Sequence, residues 1–278
     1  MNVQISEDEF RLFRDLIHRE CGLYFGDNKR AFLSSRIGKR LTAKSMGSFY
    51  GYYRYLKEGG REQEEEMLRL LDILTINETA FFRNRPQFEF LEEVVLPELA
   101  EQKKKCSDYL FRIWSAGCAT GEEPYSIAIS ALESLTPRSA WELRVYASDL
   151  SLSALERADR GIYPEAKLAG LRSGRERGYF VKAADGHAIR DEVKRLVIYD
   201  FHNLKHENGL RNLDVVFCRN VLIYFDPEEQ QRVVAKLVRA LKPGGYLFLG
   251  HSESVQGKIE DLKFVYHGRG TAYRKVKP

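Results

Sequence analysis

The chain has 278 residues, 44% apolar and 30% charged, with a formal net charge of +4, so it holds one large domain or two modest ones of ordinary globular composition. No run approaches the roughly eighteen apolar residues of a bilayer span, and Cys21, Cys106, Cys118 and Cys218 lie far apart without a CxxC pair, which argues against membrane insertion and against a zinc or redox centre. The opening MNVQISEDEF is acidic and lacks the basic and apolar regions of a signal peptide, so a cytoplasmic location without structural disulfides is expected.

In chain order, the first third patterns as helices. Ser6 and Glu9 make a capping box ahead of Phe10, Phe13, Leu16 and Ile17, which share one helical face. A second helix is expected from about Asn28 to Lys44, with Phe32, Leu33, Ile37 and Leu41 inward. Its basic residues Lys29, Arg36, Arg40 and Lys44 follow i, i+7, i+11, i+15 spacing and gather on one surface. Between Lys29 and Lys44 there are six basic residues and no acidic one, whereas Glu58 to Glu66 is acidic. Such a stripe on a nearly balanced chain suits a specific acidic surface, or is a solvated helix face. Further helices are expected around Ser48–Lys57 and Gln63–Ile76, and a longer one from Arg85-Pro86 through Phe90, Val94 and Leu99. Glu101 to Lys105, charged and unpatterned, reads as a surface connection.

After it the rhythm changes. Tyr109–Trp114, Leu143–Ala147, Leu196–Tyr199, Leu213–Cys218 and Tyr246–Leu249 read as strands. They alternate with helices from about Glu122 to Leu135, from a Ser151 cap to about Asp159, and from about Pro227 to Leu241. That alternation predicts an α/β fold, a doubly wound parallel sheet following an all-helical N-terminal unit. Phe264–His267 and Ala272–Lys275 look like a closing antiparallel pair, and Gly161 to Glu192, rich in Gly and Arg, reads as a small inserted subdomain. Repeats and low-complexity tracts are absent.

In such a sheet ligands bind beyond the carboxyl ends of the strands. The first loop there is Ser115-Ala116-Gly117-Cys118-Ala119-Thr120-Gly121-Glu122-Glu123, whose small residues let backbone approach a ligand closely. Glu122 and Glu123 stand where a pyrophosphate-binding loop keeps a helix start open; they repel phosphate and favour ribose hydroxyls and a cationic ligand. That points away from NAD and toward S-adenosylmethionine; a tight turn with acidic helix-dipole residues is the lesser reading of the loop on its own. Asp149 ends the second strand, where it could take both ribose hydroxyls or cap a helix. Arg219 and Asn220 after the strand Leu213–Cys218, and Asn203 after the strand ending at Tyr199, either join the same cleft or satisfy local backbone. Four polar loops at one sheet edge favour a cofactor cleft. His202 and His206 have no third ligand in view, so no metal site is expected.

Asn77-Glu78-Thr79-Ala80-Phe81-Phe82-Arg83, SAGCATGEEPYS from Ser115, FCRNVLIYF from Phe217 and Gly250-His251-Ser252-Glu253 together resemble the CheR-type chemotaxis receptor methyltransferases, over nearly the whole chain. The resemblance implies an S-adenosylmethionine-dependent glutamate O-methyltransferase: an N-terminal helical docking domain, 1–83, then a Rossmann-like methyltransferase domain, 84–278, with a β-subdomain at about 161–192. It implies that Asn77, Thr79 and Arg83 form the linker-side wall of the cofactor site, that Gly117 belongs to its loop, and that Glu123, with Glu122 beside it, sits by the methionine or ribose end. Asp149 would hold the ribose, Asn203 and Leu204 border the adenine, Arg219 and Asn220 close the pocket, and Arg83 and Tyr224 lie nearest the transferred methyl. The implied partner is the acidic coiled-coil methylation region of methyl-accepting chemotaxis receptors, met by the Lys29–Lys44 face, with the enzyme a monomer. The stretch Val181–Ala188 is short and carries one glycine where tethered relatives have a longer glycine-rich loop, so no pentapeptide tether is expected. Two other readings compete: a nucleic-acid methyltransferase, against which the loop Cys218-Arg219-Asn220-Val221 lacks the proline and aromatic residue that hold a flipped base, and a non-catalytic adaptor, which has no need of Arg83 and Tyr224.

Overall fold

A computed structural model of the chain describes residues 4–172, 174, 176–255 and 261–276. Four helices come first: α1 (Glu7–Cys21), α2 (Arg30–Ala43), α3 (Phe49–Lys57) and α4 (Arg61–Leu74). The capping box forms: the Glu9 N–H donates to Ser6 Oγ and the Ser6 N–H donates to the Glu9 carboxylate, satisfying donors that a helix start leaves orphaned. Phe10, Phe13 and Ile17 of α1 meet Leu33 and Ile37 of α2, Phe49 and Tyr52 of α3, and Leu70 and Leu74 of α4 in one apolar core. A polar tie crosses it. Arg40 donates to Glu66 through Nε at 2.8 Å and Nη2 at 2.7 Å, and Tyr52 OH donates to the same carboxylate at 2.7 Å. Burial pushes Glu66 up, but these bonds outweigh it and hold the carboxyl below its ordinary range.

A continuous helical rod follows, α5 (Arg85–Phe90), a wide π turn over Leu91–Val95, and α6 (Leu96–Lys105). Pro97 stands just past the wide turn and has no N–H to continue a regular ladder, a known cause of such a break. The rod reaches Lys105, so 101–105 is helix and not a surface connection. Lys103 explains the difference: it is 3% exposed, and its ammonium lies over the Phe111 ring and pairs with Asp108 at 2.6 Å and with fully buried Asp214 at 3.0 Å. Asp214 belongs to a strand far along the chain, so the local charge pattern held no sign of it.

The remaining elements are β1 (Leu110–Ala116), α7 (Glu122–Ser134), β2 (Glu142–Asp149), α8 (Leu152–Arg160), β3 (Ile162–Tyr163), α9 (Glu165–Leu168), β4 (Phe180–Ala183), β5 (Gly186–Ile189), α10 (Asp191–Lys194), β6 (Val197–Phe201), β7 (Leu213–Cys218), α11 (Pro227–Ala240), β8 (Leu241–Leu249), β9 (Leu262–His267) and β10 (Gly270–Lys275). Among the described residues seven strands make the main sheet, in the order β6-β2-β1-β7-β8-β10-β9. The first five are parallel, and β10 and β9 close the edge antiparallel. Every residue of β7 is buried, as a parallel strand covered on both faces requires. The chain enters at β1, winds outward through β2 to β6, then returns to β7 on the other side of β1. The loops after β1 and β7 therefore flank the switch point where open sheets bind ligands. A separate antiparallel sheet, β3-β5-β4, lies within 162–189.

The helical unit docks over that same edge. Leu23 pairs with Phe225, the Tyr24 N–H donates to Tyr224 O at 2.8 Å, and His18 Nε2 meets Asp226 Oδ2 at 2.5 Å. Asn203 Nδ2 donates to Glu20 O at 2.8 Å. No helix of the described residues is long and apolar enough to cross a membrane.

Candidate cofactor site

Between the helical unit and the carboxyl edge of the sheet lies a cavity of about 290 Å³, near the lower end of small-molecule sites. The loops after β1, β2, β6 and β7 all reach it, as the sequence pattern anticipated. Gly117 lines it: φ is +81°, and a Cβ there would come within 2.4 Å of Val221 Cγ2, so the loop turns as it does because a side chain is missing. The Gly117 and Cys118 N–H groups donate to Ser148 O at 2.8 and 3.0 Å, stitching the loop to the end of β2.

Asp149 sits 8% exposed at the cavity floor. Its Oδ2 accepts from Ala119 N–H and its Oδ1 from Ser151 N–H, both at 2.8 Å. Burial raises its pKa, and these N–H groups pull it back. Each oxygen keeps lone-pair capacity for a further donor, so the local and ligand-binding readings of Asp149 hold together. Glu123, the second residue of α7, accepts from Ser115 Oγ at 2.8 Å and pairs with Arg219 Nη1 at 3.3 Å. Its carboxyl is raised by burial against the pull of Arg219 and Ser115. Arg219, lowered by that same burial, also donates to Arg83 O and lies over the Phe88 ring at 5.6 Å. Asn220 adopts left-handed φ +59°. The Glu253 carboxylate accepts from its N–H and from those of Ile223 and Gly250, which gives the Gly250–Glu253 motif its job of holding the β7 loop.

On the opposite wall Asn77 Nδ2 donates to Ser151 Oγ at 3.1 Å, and Ser151 Oγ donates to Asp72 at 2.6 Å. Thr79, half-buried Arg83 and half-buried Tyr224 complete this side, and Arg83 Nη1 donates to Glu78 O at 2.9 Å. Asn203 and Leu204 line the far end. Asn203 Oδ1 also accepts from Lys205 N–H, so this side chain ties the loop and α1 together as well as facing the cavity.

Two expected positions differ. Glu122, fully buried, points away from the cavity: it accepts from Thr120 Oγ1 at 2.6 Å and pairs with Lys167 at 2.8 Å. As the first residue of α7 it projects about 100° around the helix from Glu123, so only one of the pair can face a ligand. In the basic stripe, Arg40 is consumed by Glu66, with 17% of its side chain exposed, while exposed Lys29 lines the cavity mouth. The Arg36 guanidinium lies over Phe32 at 5.2 Å and the Lys44 ammonium over Tyr55 at 5.0 Å, and both residues are half-buried. Sequence reasoning missed the apolar and aromatic part of the wall, Leu23, Tyr24, Phe25, Phe32 and Leu150, and also His202. Leu23–Phe25 sit in a short segment without periodicity, so nothing marked them. Among the described residues no group of His, Cys, Asp and Glu could hold a metal.

Residues 77–270 match the family model described as CheR methyltransferase, SAM binding domain, and residues 8–75 match the CheR methyltransferase all-alpha domain. The chain is 36% identical over 277 residues to a chemotaxis protein methyltransferase of Vibrio parahaemolyticus, covering 98% of each. It is 35% identical over 276 residues to chemotaxis protein methyltransferase 1 of Pseudomonas aeruginosa, covering 96% of this chain and 97% of that one. Against the chemotaxis protein methyltransferase of Salmonella typhimurium it is 34% identical over 265 residues, covering 93% and 88%. The cavity fits the cofactor that the SAM binding domain takes: carboxylates at Asp149 and Glu123 for hydroxyl and cationic groups, a left-handed glycine at Gly117, and apolar Leu150 and Leu204 at the far end. Neither a nucleic-acid methyltransferase nor an adaptor is favoured by these relatives.

Proposed function

Because the chain belongs to the CheR methyltransferase family, we propose that it transfers methyl groups from S-adenosylmethionine to the side-chain carboxylates of specific glutamates on methyl-accepting chemotaxis receptors. The observation that carries the acceptor chemistry is Arg83. Its guanidinium lines the cavity and is fixed by one bond to Glu78 O. Among the described residues its side chain makes no other hydrogen bond, so most of its five N–H donors remain for an incoming anion.

Bound S-adenosylmethionine supplies a methyl group activated by its sulfonium. The protein has to orient and dehydrate the acceptor rather than deprotonate it, since a glutamate of pKa about 4.3 is already an anion at neutral pH. Arg83 holds one carboxylate oxygen and leaves the other to react; an overly tight ion pair would stabilise the ground state. Tyr224, whose phenol is raised by burial and so stays neutral, gives a wall and one hydrogen bond. Asp149 takes the ribose, Asn203 and Leu204 flank the adenine, and Glu123 with Arg219, Asn220, Gly117, Asn77 and Thr79 shape the methionine end. Glu122 acts behind the wall.

The same reading gives the chain a helical docking domain, 1–83, and a methyltransferase domain, 84–278, with the insert at about 161–192. Support comes from the separate apolar core of α1–α4 and from the small sheet within 162–189. Docking to the acidic coiled coil of the receptor falls to Lys29, Arg36 and Lys44. The hairpin β4–β5 turns through Ala184-Asp185 alone, with Ala183 opposite Gly186, which supports a receptor contact without a pentapeptide tether; the same reading takes the enzyme to act in the cytoplasm as a monomer. The test is incubation with labelled S-adenosylmethionine and receptor-containing membranes: base-labile label on receptor is expected, and base-stable label, or label on nucleic acid, would overturn the glutamate assignment.

A further inference from the structure

Lys167 belongs to the small insert, on α9, yet it ties the Thr79 wall of the cofactor cavity to the start of α7. Its Nζ donates to Thr79 O at 2.7 Å and pairs with Glu122 Oε1 at 2.8 Å. Thr79 lines the cavity; Glu122 starts α7 and is fully buried. Its neighbour Tyr163, on β3, donates to Thr120 O at 2.8 Å and packs edge-on against Phe81 at 4.8 Å. Gly121 fits between them only as glycine, because a Cβ would lie 2.9 Å from Tyr163 OH and 2.8 Å from Tyr199 OH. The insert therefore grips the linker at Thr79 and Phe81 and the cofactor loop at Thr120 and Glu122.

We propose that Lys167 is a positioning residue for the cofactor cavity, an ion-paired strut from the insert that fixes the Thr120–Glu122 turn against the Thr79 wall. A carboxylate without exposure has to be compensated. With Lys167 removed, Glu122 is left buried without its cation and turns outward, which shifts the first turn of α7, whose next residue is the cavity carboxylate Glu123. The strut also makes insert and cavity one thermodynamic unit: a ligand that orders the Thr79 and Thr120 walls orders the insert, and the linkage is reciprocal. This rests on the cavity taking an S-adenosyl ligand and not on which acceptor is methylated.

Calorimetry with S-adenosylhomocysteine on the full chain tests it. Binding to the wild-type chain comes first; its failure would remove the cavity assignment itself, not the strut. Lys167→Met should weaken that binding about tenfold and raise KM for S-adenosylmethionine by a similar factor, with kcat changed less than twofold. Lys167→Arg, which keeps the charge, should restore affinity to within about threefold. Glu122→Gln should weaken binding comparably, and the double variant should be no worse than either single one. Hydrogen exchange adds a readout that a merely structural tie would not move: the ligand should slow exchange in 162–168 of wild type and not of Lys167→Met. Unchanged affinity in folded Lys167→Met overturns the proposal. If that variant does not fold, Glu122→Gln takes its place, and unchanged affinity there overturns the proposal equally.

Discussion

On the sheet side of the cavity, Asp149, Glu123 and Arg219 are each held by other buried groups: two backbone N–H donors, a serine hydroxyl, a carbonyl and one another. On the side of the helical unit and the linker, Tyr24 and Ile76 stand about half exposed at the rim, and Arg83 has one tether. The first wall arrives preorganised, which suits a constant ligand whose binding should cost little rearrangement. The second leaves donors and apolar surface open, which suits an acceptor that comes and goes. On the proposed reading, the rigid wall serves the cofactor and the open mouth serves the acceptor.

The largest effect that sharpens this division belongs to the open wall. Arg83→Ala should lower kcat for receptor methylation by about 10²–10³-fold, the scale of removing one aimed donor from a reacting centre, while S-adenosylhomocysteine affinity moves far less. Comparable losses in both, measured by turnover and calorimetry on one preparation, would merge the two walls. Next comes Asp149→Ala on the rigid wall. Losing charge-assisted hydrogen bonds worth about 1.5–3 kcal/mol should weaken S-adenosylhomocysteine by roughly ten- to a hundredfold, and the ligand-induced rise in melting temperature should shrink accordingly. An unchanged isotherm would take Asp149 out of ligand contact and leave it a loop brace.

Much of the rigid wall was legible because its signals are local. Small residues after a strand and polar residues at three further strand ends can be read from spacing alone, and the strand Leu213–Cys218 matched residue for residue. What escaped depends on partners remote in sequence. Arg40 was grouped with the docking stripe because helical spacing puts it there; its diversion to Glu66 comes from another helix. Lys103 read as surface charge until Asp214 drew it in. Glu122 and Glu123 read as a pair, but the helix turns them apart and Lys167 of the insert takes up Glu122. Chemistry at strand ends follows the chain; burial of a charge follows the fold.

That distinction sets the third expectation. Arg36→Glu with Lys44→Glu should raise KM for receptor several-fold, more at low salt than at high, and leave cofactor affinity alone. Arg40→Glu should instead lower the melting temperature, because it sets two carboxylates together in a site built for one. A double variant that methylates normally across the salt series would reduce the stripe to a solvated face.

The smallest expected effect is the one that reads the mechanism. If the acceptor is already ionised, no protein base should appear in the pH profile between about 6.5 and 8.5. Three groups near the cavity carry shifts that set the acid limb. Asp149 and Glu123 are raised by burial, so protons bind them at higher pH than ordinary carboxylates; as pH falls, the cavity loses the negative charge that attracts a cationic ligand. The sign for apo stability is opposite: their raised values favour the folded state at low pH and withdraw that contribution as pH rises through them. His202 is lowered by burial from its usual value near 6.5. It is therefore neutral through the working range, and its contribution to stability, present above 6.5, is lost only as pH falls below that value. Each of these groups gains protons only as pH falls and none acts as a base, so kcat/KM should rise once with pH and then run flat. His251 is exposed and lines no part of the cavity, so His251→Ala should keep kcat within about twofold, far inside the 10²–10⁴ that a general base supplies. A profile climbing with an apparent pKa near 6.5–7 and flattened by His251→Ala or His202→Gln would mean that a proton does move, and the open wall would then hold a base as well as an anion clamp.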